Sequence, residues 1–282
     1  MVAKSRITLL ADNTAAPGLH ALHGFSALVE TAAGRLLFDT GPSAGALEAN
    51  ARILGRRLDG LDAIVLSHGH YDHTGALAFV LALNPLARLY LHPAALQPRY
   101  SRRRPGAPVR SIGMPAVCVR AVEAHGPDVH WTHRPTPALP GMTCTGPIPR
   151  IHESGPAEPV FFLDPAARIP DPLIDDQAVT LDWAGGAVAL LGCTHSGLAN
   201  TLAAIRSIAG PRRLGAIIGG LHTGGASLDE YDSAARLLLE SGASIVAACH
   251  CTGASALDHF SQALSPHIAT APAGVGWTWE AA

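Results

Sequence analysis

SHGHYDHTG, residues 67–75, directly follows the apolar run AIVL at 63–66. It sets His68, His70, Asp72 and His73 within six positions. Four side chains with lone pairs, left unpaired at the mouth of a core, would carry a large desolvation cost. A cation among them removes that cost. Gly69 lets the backbone bend so that the His68 and His70 rings converge. Asp72 and His73, one turn further on, face a neighbouring position. Ligands split two and two suit a pair of adjacent metal ions, which can deprotonate a water held between them. A lone histidine is more often a hydrogen-bonded core or capping residue, but this density of ligand types points to metal.

The composition is compatible with that reading. The chain has 282 residues, 48% hydrophobic and 15% charged, enough for one large domain with an extensive core. A formal net charge of -2 gives no reason to expect nucleic acid or an anionic membrane as partner. The 15 histidines enrich the chain in the commonest metal-ligand side chain. Five scattered cysteines, an odd number, do not form a disulfide framework. The apolar stretch before Asp12 is too short for a signal-peptide core, and no run approaches the roughly 18 apolar residues of a membrane span. The expectation is a soluble, cytoplasmic protein.

Outward from the histidines, strands alternate with helices. FSALVET and RLLFDTG read as a hairpin turning at Ala33-Gly34. SAGALEANARILG has helical spacing, LDAIVLS suits a buried strand, TGALAFVLALNP is a helix stopped by Pro85, and ARLYLHP is another strand. Residues 93–150, rich in Pro and carrying RYSRRRPGAPVR, read as an insertion or lid crossing the surface. Order returns with the hairpin AVTLDW–GG–AVALLG, a helix from Asn200 to Ala209, the strand LGAIIGG, a helix over LDEYDSAARLLLESG, and the strand ASIVAACH. Alternation of this kind implies layered α/β architecture in a single domain, 1–282.

Ligand-type residues recur at the ends of these strands: Asp39 after RLLF, Cys193 and His195 after AVALL, His222 after LGAIIGG, and His250 after ASIVAA. Strand ends and their loops are where such folds assemble sites from distant segments. Together with RLLFDTG, the pattern His-x-His-x-Asp-His resembles the metallo-beta-lactamase superfamily along nearly the whole chain. DNTA, HGFSALVE, LSHGHYDHTGAL, DDQ, LLGCTHSGLANT, IIGGLH and HCTG look like the branch containing archaeal dihydropterin-linked ribofuranosylaminobenzene phosphate synthase-like proteins.

The resemblance implies a four-layer αββα sandwich with metals at one edge between the sheets. It assigns His68 and His70 to one metal, Asp72 and His73 to the second, and His250 as the final metal histidine, with His195 chosen from the middle loops. The sequence departs from the superfamily pattern of a separate histidine followed by a bridging Asp. Cys193 stands there as either a thiolate ligand or a buried small residue, and His222 as either a ligand or a donor to an oxyanion. Asp39 is read as the carboxylate that fixes a metal-bound imidazole, as a turn cap, or as both. Asn13 and His23 are candidates for the pocket wall. Cys249 and Cys251, flanking His250, are expected to pack. Arginines 99, 102, 103, 104 and 110 either collect an anionic group of the substrate or form a solvated face.

The leading expectation is a dinuclear metal-dependent hydrolase that uses a metal-bound hydroxide on an ester-like or phosphoester small molecule, with Asp72 and His222 as catalytic residues. Two divalent ions are expected: zinc by default, iron or manganese also suiting the ligands. The alternatives are a pterin- or phosphoribosyl-linked synthase using the same metals, and a non-catalytic metal-binding or sensing protein.

Overall fold

Leu36, Leu37 and Phe38 are all fully buried, yet they serve two different cores. Successive side chains of a strand point to opposite faces, so Leu36 and Phe38 enter the core between two sheets while Leu37 enters a core beneath helices. Ala63 and Val65 repeat the division against Ile64, and Val188 and Leu190 against Ala187, Ala189 and Leu191. A strand buried on both faces needs a layer on each side. The computed structural model, which describes residues 5–152, 159–271 and 273–280, supplies those layers as an αββα sandwich.

One seven-stranded sheet runs Thr278–Glu280, Arg6–Ala11, Ser26–Thr31, Gly34–Phe38, Ala63–Val65, Arg88–Leu91, Val129–Trp131. The other runs Ala269–Thr270, Ile245–Cys249, Leu214–Gly220, Gly186–Leu191, Val179–Trp183, Met142–Cys144, Thr136–Leu139. Helices Ala44–Ile53, Leu77–Leu83 and Ala116–His125 cover the first sheet through Leu47, Ala51, Val80, Leu81, Cys118 and Val122. Helices Leu198–Ala209, Leu228–Ser241 and Ala254–Ala263 cover the second through Leu202, Ile205, Leu238 and Phe260. Both hairpins read from the sequence form, Ser26–Thr31 with Gly34–Phe38 and Val179–Trp183 with Gly186–Leu191.

The strands that carry the polar ends are parallel and level. Phe38 pairs with Val65, Leu191 with Gly219, and Gly220 with Cys249. Their carboxyl ends therefore release Asp39, Ser67–His68, Cys193, His222 and His250 along one edge of the sandwich.

Residues 93–150 differ from the expected surface excursion. Ala116–His125 is a covering helix, Val129–Trp131 joins the first sheet, and Thr136–Leu139 with Met142–Cys144 joins the second. Pro93 opens a short 3-10 turn, Pro115 precedes the covering helix and Pro137 lies on an edge strand, all places where a missing N–H costs little. Only Tyr100–Ser101 and Arg110–Ser111 stand apart, in a small third sheet with Phe161–Phe162. Arg99 is neither solvated nor free for substrate. It is buried, its Nη2 bonding Asp175 Oδ1 at 2.6 Å and its Nε 3.3 Å from Asp171 Oδ2.

At the site edge Gly192 lies tight against Ser67 and Asp39. A Cβ added there would stand 2.5 Å from Ser67 Cβ and 3.4 Å from Asp39 Oδ2. Gly192→Ala is therefore expected to cost about 1–3 kcal/mol by overpacking and to push Ser67 off Asp39. Thermal unfolding and metal content of the variant, both lowered, check this.

Candidate metal centre

The loop after Val65 turns sharply at Gly69, whose Cα approaches the Ala95 backbone so closely that a Cβ would meet Ala95 Cα at 2.7 Å. That turn brings His68 Nε2 within 3.0 Å of His70 Nδ1. His195, from the loop after Gly186–Leu191, closes the set with ring centroids 4.7 Å from His68 and 4.9 Å from His70. A short helix, Tyr71–Thr74, then presents Asp72 and His73. His73 Nε2 lies 3.1 Å from His250 Nε2, and Asp72 Oδ2 lies 3.7 Å and 3.5 Å from those same atoms. Cys193 Sγ stands 3.1 Å from His73 Nε2.

The outer nitrogens of three imidazoles are anchored. His73 Nδ1 lies 2.7 Å from Asp39 Oδ2, His68 Nδ1 2.8 Å from Ser67 Oγ, and His250 Nδ1 3.0 Å from Asn13 Oδ1. Each ring thus turns its Nε2 inward, the arrangement by which outer partners fix a ligand's tautomer and aim. By contrast, His70 Nε2 and His195 Nε2 are buried with no hydrogen-bond partner among the described residues.

Burial and neighbouring imidazoles hold His68 and His195 well below the ordinary histidine range, and burial does the same to His70. Burial also brings His250 down to about 4. Neutral imidazole is the ligand form. Burial opposes protonation of His73 as well, but the Asp39 and Asp72 carboxylates overcome it and push that ring up to about 9. Burial likewise opposes ionisation of Asp72, yet His73 and His23 hold its carboxyl far below the usual range. A tetrahedral zinc site with Zn–N near 2.0–2.1 Å spaces its nitrogens about 3.3 Å apart. The 3.0 and 3.1 Å contacts between ring nitrogens, together with the two partnerless ones, fit such a donor set.

The other sequence candidates fall in distinct places. Asp39 sits at the junction of the two sheets, accepting from Ser67 N and Ser67 Oγ at 2.7 Å each. Asn13 holds His250 at both its ring and its carbonyl instead of simply walling a pocket. His23, exposed, reaches Asp72 Oδ2 with Nε2 at 3.2 Å. His222 is exposed, its ring centroid 4.4 Å from that of His195. Cys249 packs between the sheets as expected, but Cys251 lies in a possible ligand cluster with Cys193 and His250.

Five contributors escaped the sequence reading. Ser67 links Asp39 to His68. Asp12 Oδ1 accepts from His250 N at 2.7 Å. Asp175 Oδ2 accepts from Gly69 N at 2.8 Å while Asp175 Oδ1 bonds Arg99, so Arg99 steadies the loop that carries His68 and His70. Asp176, pushed up to about 6 by burial, accepts from Ser196 N beside His195. Phe161 lies 5.2 Å from both His70 and His195, centroid to centroid. Asp12 and the Asp pair lie in DNTA and DDQ, whose charged residues beside apolar runs were the available signal.

Comparison with known proteins agrees with this architecture. The chain is 30% identical over 257 residues to an uncharacterized protein of Methanocaldococcus jannaschii, covering 91% of this chain and 94% of that one. It is 25% identical over 249 residues to the same organism's 7,8-dihydropterin-6-methyl-4-(beta-D-ribofuranosyl)-aminobenzene-5'-phosphate synthase, covering 85% and 84%. The crystal structure of a metal-dependent hydrolase of the beta-lactamase superfamily superposes with a TM-score of 0.82 at 29% identity, over 99% of each chain. A metallo-beta-lactamase fold protein of Bacillus subtilis shares the fold, with a TM-score of 0.57 at 14% identity over 98% and 99%. The family model for the metallo-beta-lactamase superfamily runs from residue 21 to residue 250, ending on the last inward-facing histidine, and the chain belongs to that superfamily.

Proposed function

We propose that this protein is a dinuclear metal-dependent hydrolase acting on an ester-like or phosphoester centre of a small molecule. The observation that carries the reading is the pair of adjoining donor sets, His68/His70/His195 and Asp72/His73/His250, in one buried cluster. The nitrogen-rich set suits zinc, and its histidine and carboxylate donors also accept iron or manganese. Bound divalent cations supply Lewis acidity and acidify water at neutral pH.

The chain's own groups do the rest. Phe161 packs 5.2 Å from both the His70 and His195 rings, centroid to centroid, and gives that side of the site an apolar flank. Asp72, ionised, holds one oxygen toward His73 and His250 and orients the His23 imidazole at the mouth. His222, exposed beside His195, is positioned to pass a proton from its ring to a leaving oxygen. A small-molecule substrate is compatible with a site at the sandwich edge, and a net charge of -2 favours no nucleic acid.

A second reading, a synthase joining pterin- and phosphoribosyl-type substrates, draws support from the similarity to the dihydropterin-linked synthase. Isotope-labelled water separates the two: hydrolysis incorporates its oxygen into product, and condensation does not.

Stripping the protein with a chelator is expected to abolish turnover of generic phosphodiester, lactone and thioester substrates, and zinc or manganese to restore it. A fully metallated protein inactive on all of them would overturn the proposal. Asp39→Asn, which weakens the acceptor behind His73, is expected to loosen metal binding about 10–100-fold, read by competition with a chromophoric chelator. His222→Gln is expected to lower kcat roughly 100-fold with metal content unchanged, whereas a ligand role would lower both.

A further inference from the structure

We infer that Cys193 is the shared ligand of the centre, its thiolate reaching both donor sets at once. This rests on the two-cation reading above and specifies what joins its halves. Cys193 Sγ lies within 4.8 Å of ligand atoms of His68 and His73, of His195 and His222, and of His250 and Cys251. It thus reaches His68 and His195 of the first set and His73 and His250 of the second. No other side chain in these clusters has that reach.

The backbone explains the position. Leu191 ends its strand level with Gly219, and Gly192 continues it past Ser67 where no side chain would fit. Cys193 is therefore carried inward, buried, to the line between the sets. Thr194, at φ 54°, then reverses the chain so that His195 returns to the His68 side. One tight segment so supplies both a donor to the first set and a donor between the sets.

Charge favours the same assignment. Among the described residues the candidate clusters contain a single carboxylate, Asp72, beside histidines and two thiols. A thiolate would add a second anionic donor to these histidine-rich clusters, and with several lone pairs it can serve two ions. Cys251 is the weaker candidate. It shares a candidate cluster with Cys193 and His250 but with no member of the His68/His70/His195 set, its side chain hydrogen-bonds His222, and its Sγ lies 3.8 Å from the Cys193 carbonyl oxygen.

Cobalt- and cadmium-loaded full-length protein test this without recourse to turnover. With cobalt, a sulfur-to-metal charge-transfer band is expected, lost in Cys193→Ser and kept in Cys251→Ser. With cadmium, NMR is expected to show two resonances, both deshielded by sulfur and both shifted in Cys193→Ser. Circular dichroism confirms that each variant is folded, and Cys193→Asp, which keeps an anionic donor, is expected to bind two ions without the band. Two ions bound with no band, a band lost only in Cys251→Ser, or a single deshielded cadmium would overturn the shared thiolate while leaving the two-cation reading in place. Fewer than two ions bound by the wild-type protein would overturn both.

Discussion

The Asp39 carboxylate is the contact on which this site hangs. It takes two hydrogen bonds from Ser67, one from the backbone and one from the hydroxyl, and faces His73 Nδ1 at 2.7 Å. Its own N–H bonds Val65 O at 2.8 Å. One buried group thereby ties the end of one strand to the loop after the next and fixes the ring that stands nearest both His250 and Cys193. Because it is fully buried, this contact is little screened, and it holds His73 in the tautomer that donates from Nδ1 and leaves Nε2 free to face inward. The second sheet is tied into the same loop by Gln177, whose N–H and Nε2 bond Ser67 O at 3.0 Å and Leu66 O at 2.7 Å.

Backbone conformation around this anchor is costly. Asp39, Thr194, His222 and His250 all adopt positive φ, between 53° and 57°, although none is glycine. Each such residue costs about 1–2 kcal/mol relative to the right-handed region. All four follow a strand that ends at the site edge. At Asp39, His222 and His250 a glycine would relieve the turn but would bring no functional side chain, whereas at Thr194 the hydroxyl bonds the carbonyl oxygens of Cys193 and Gly220 and so holds the reversal. Cooperative burial of the strands offsets that strain, since each fully buried Leu, Ile or Phe contributes roughly 1.5–3 kcal/mol, and Leu36, Leu37, Phe38, Leu190, Leu191 and Ile218 are all buried beneath these ends.

This division explains what could be read from sequence. Apolar runs with polar ends made the strands and the histidine-bearing loops legible, because period-2 burial and a dense donor cluster both leave local patterns. The roles of Ser67, Asp12 and Asp175 were not legible even where DNTA and DDQ stood out as segments, because each acts on a residue that only the fold brings near: His250 lies far from Asp12 in the chain, and Gly69 far from Asp175. Residues 93–150 misled for a different reason. Their prolines and arginines are local signs of surface loops, whereas the strands at Val129–Trp131, Thr136–Leu139 and Met142–Cys144 are short and pair only with distant partners. Arg99 illustrates the same limit, since a charge in a basic run looks solvated until Asp171 and Asp175 arrive to pair with it.

With Arg99 committed internally, it cannot be the group that selects an anionic substrate. Arg102 is also engaged, its guanidinium 4.9 Å above the Phe162 ring, and Arg150 donates to the carbonyl oxygens of His195 and Pro172 at 3.0 Å each. Around the mouth lie imidazole and aromatic surface from His23, His222 and the half-buried Phe161, with the exposed Arg103 and Arg110 near enough to Tyr71 to act on its phenol. Imidazoles recognise an oxygen by a single directed hydrogen bond, whereas guanidinium would clamp a phosphate bidentately. The buried Arg99 is withdrawn from such a clamp, whereas Arg103, Arg104 and Arg110 stay exposed.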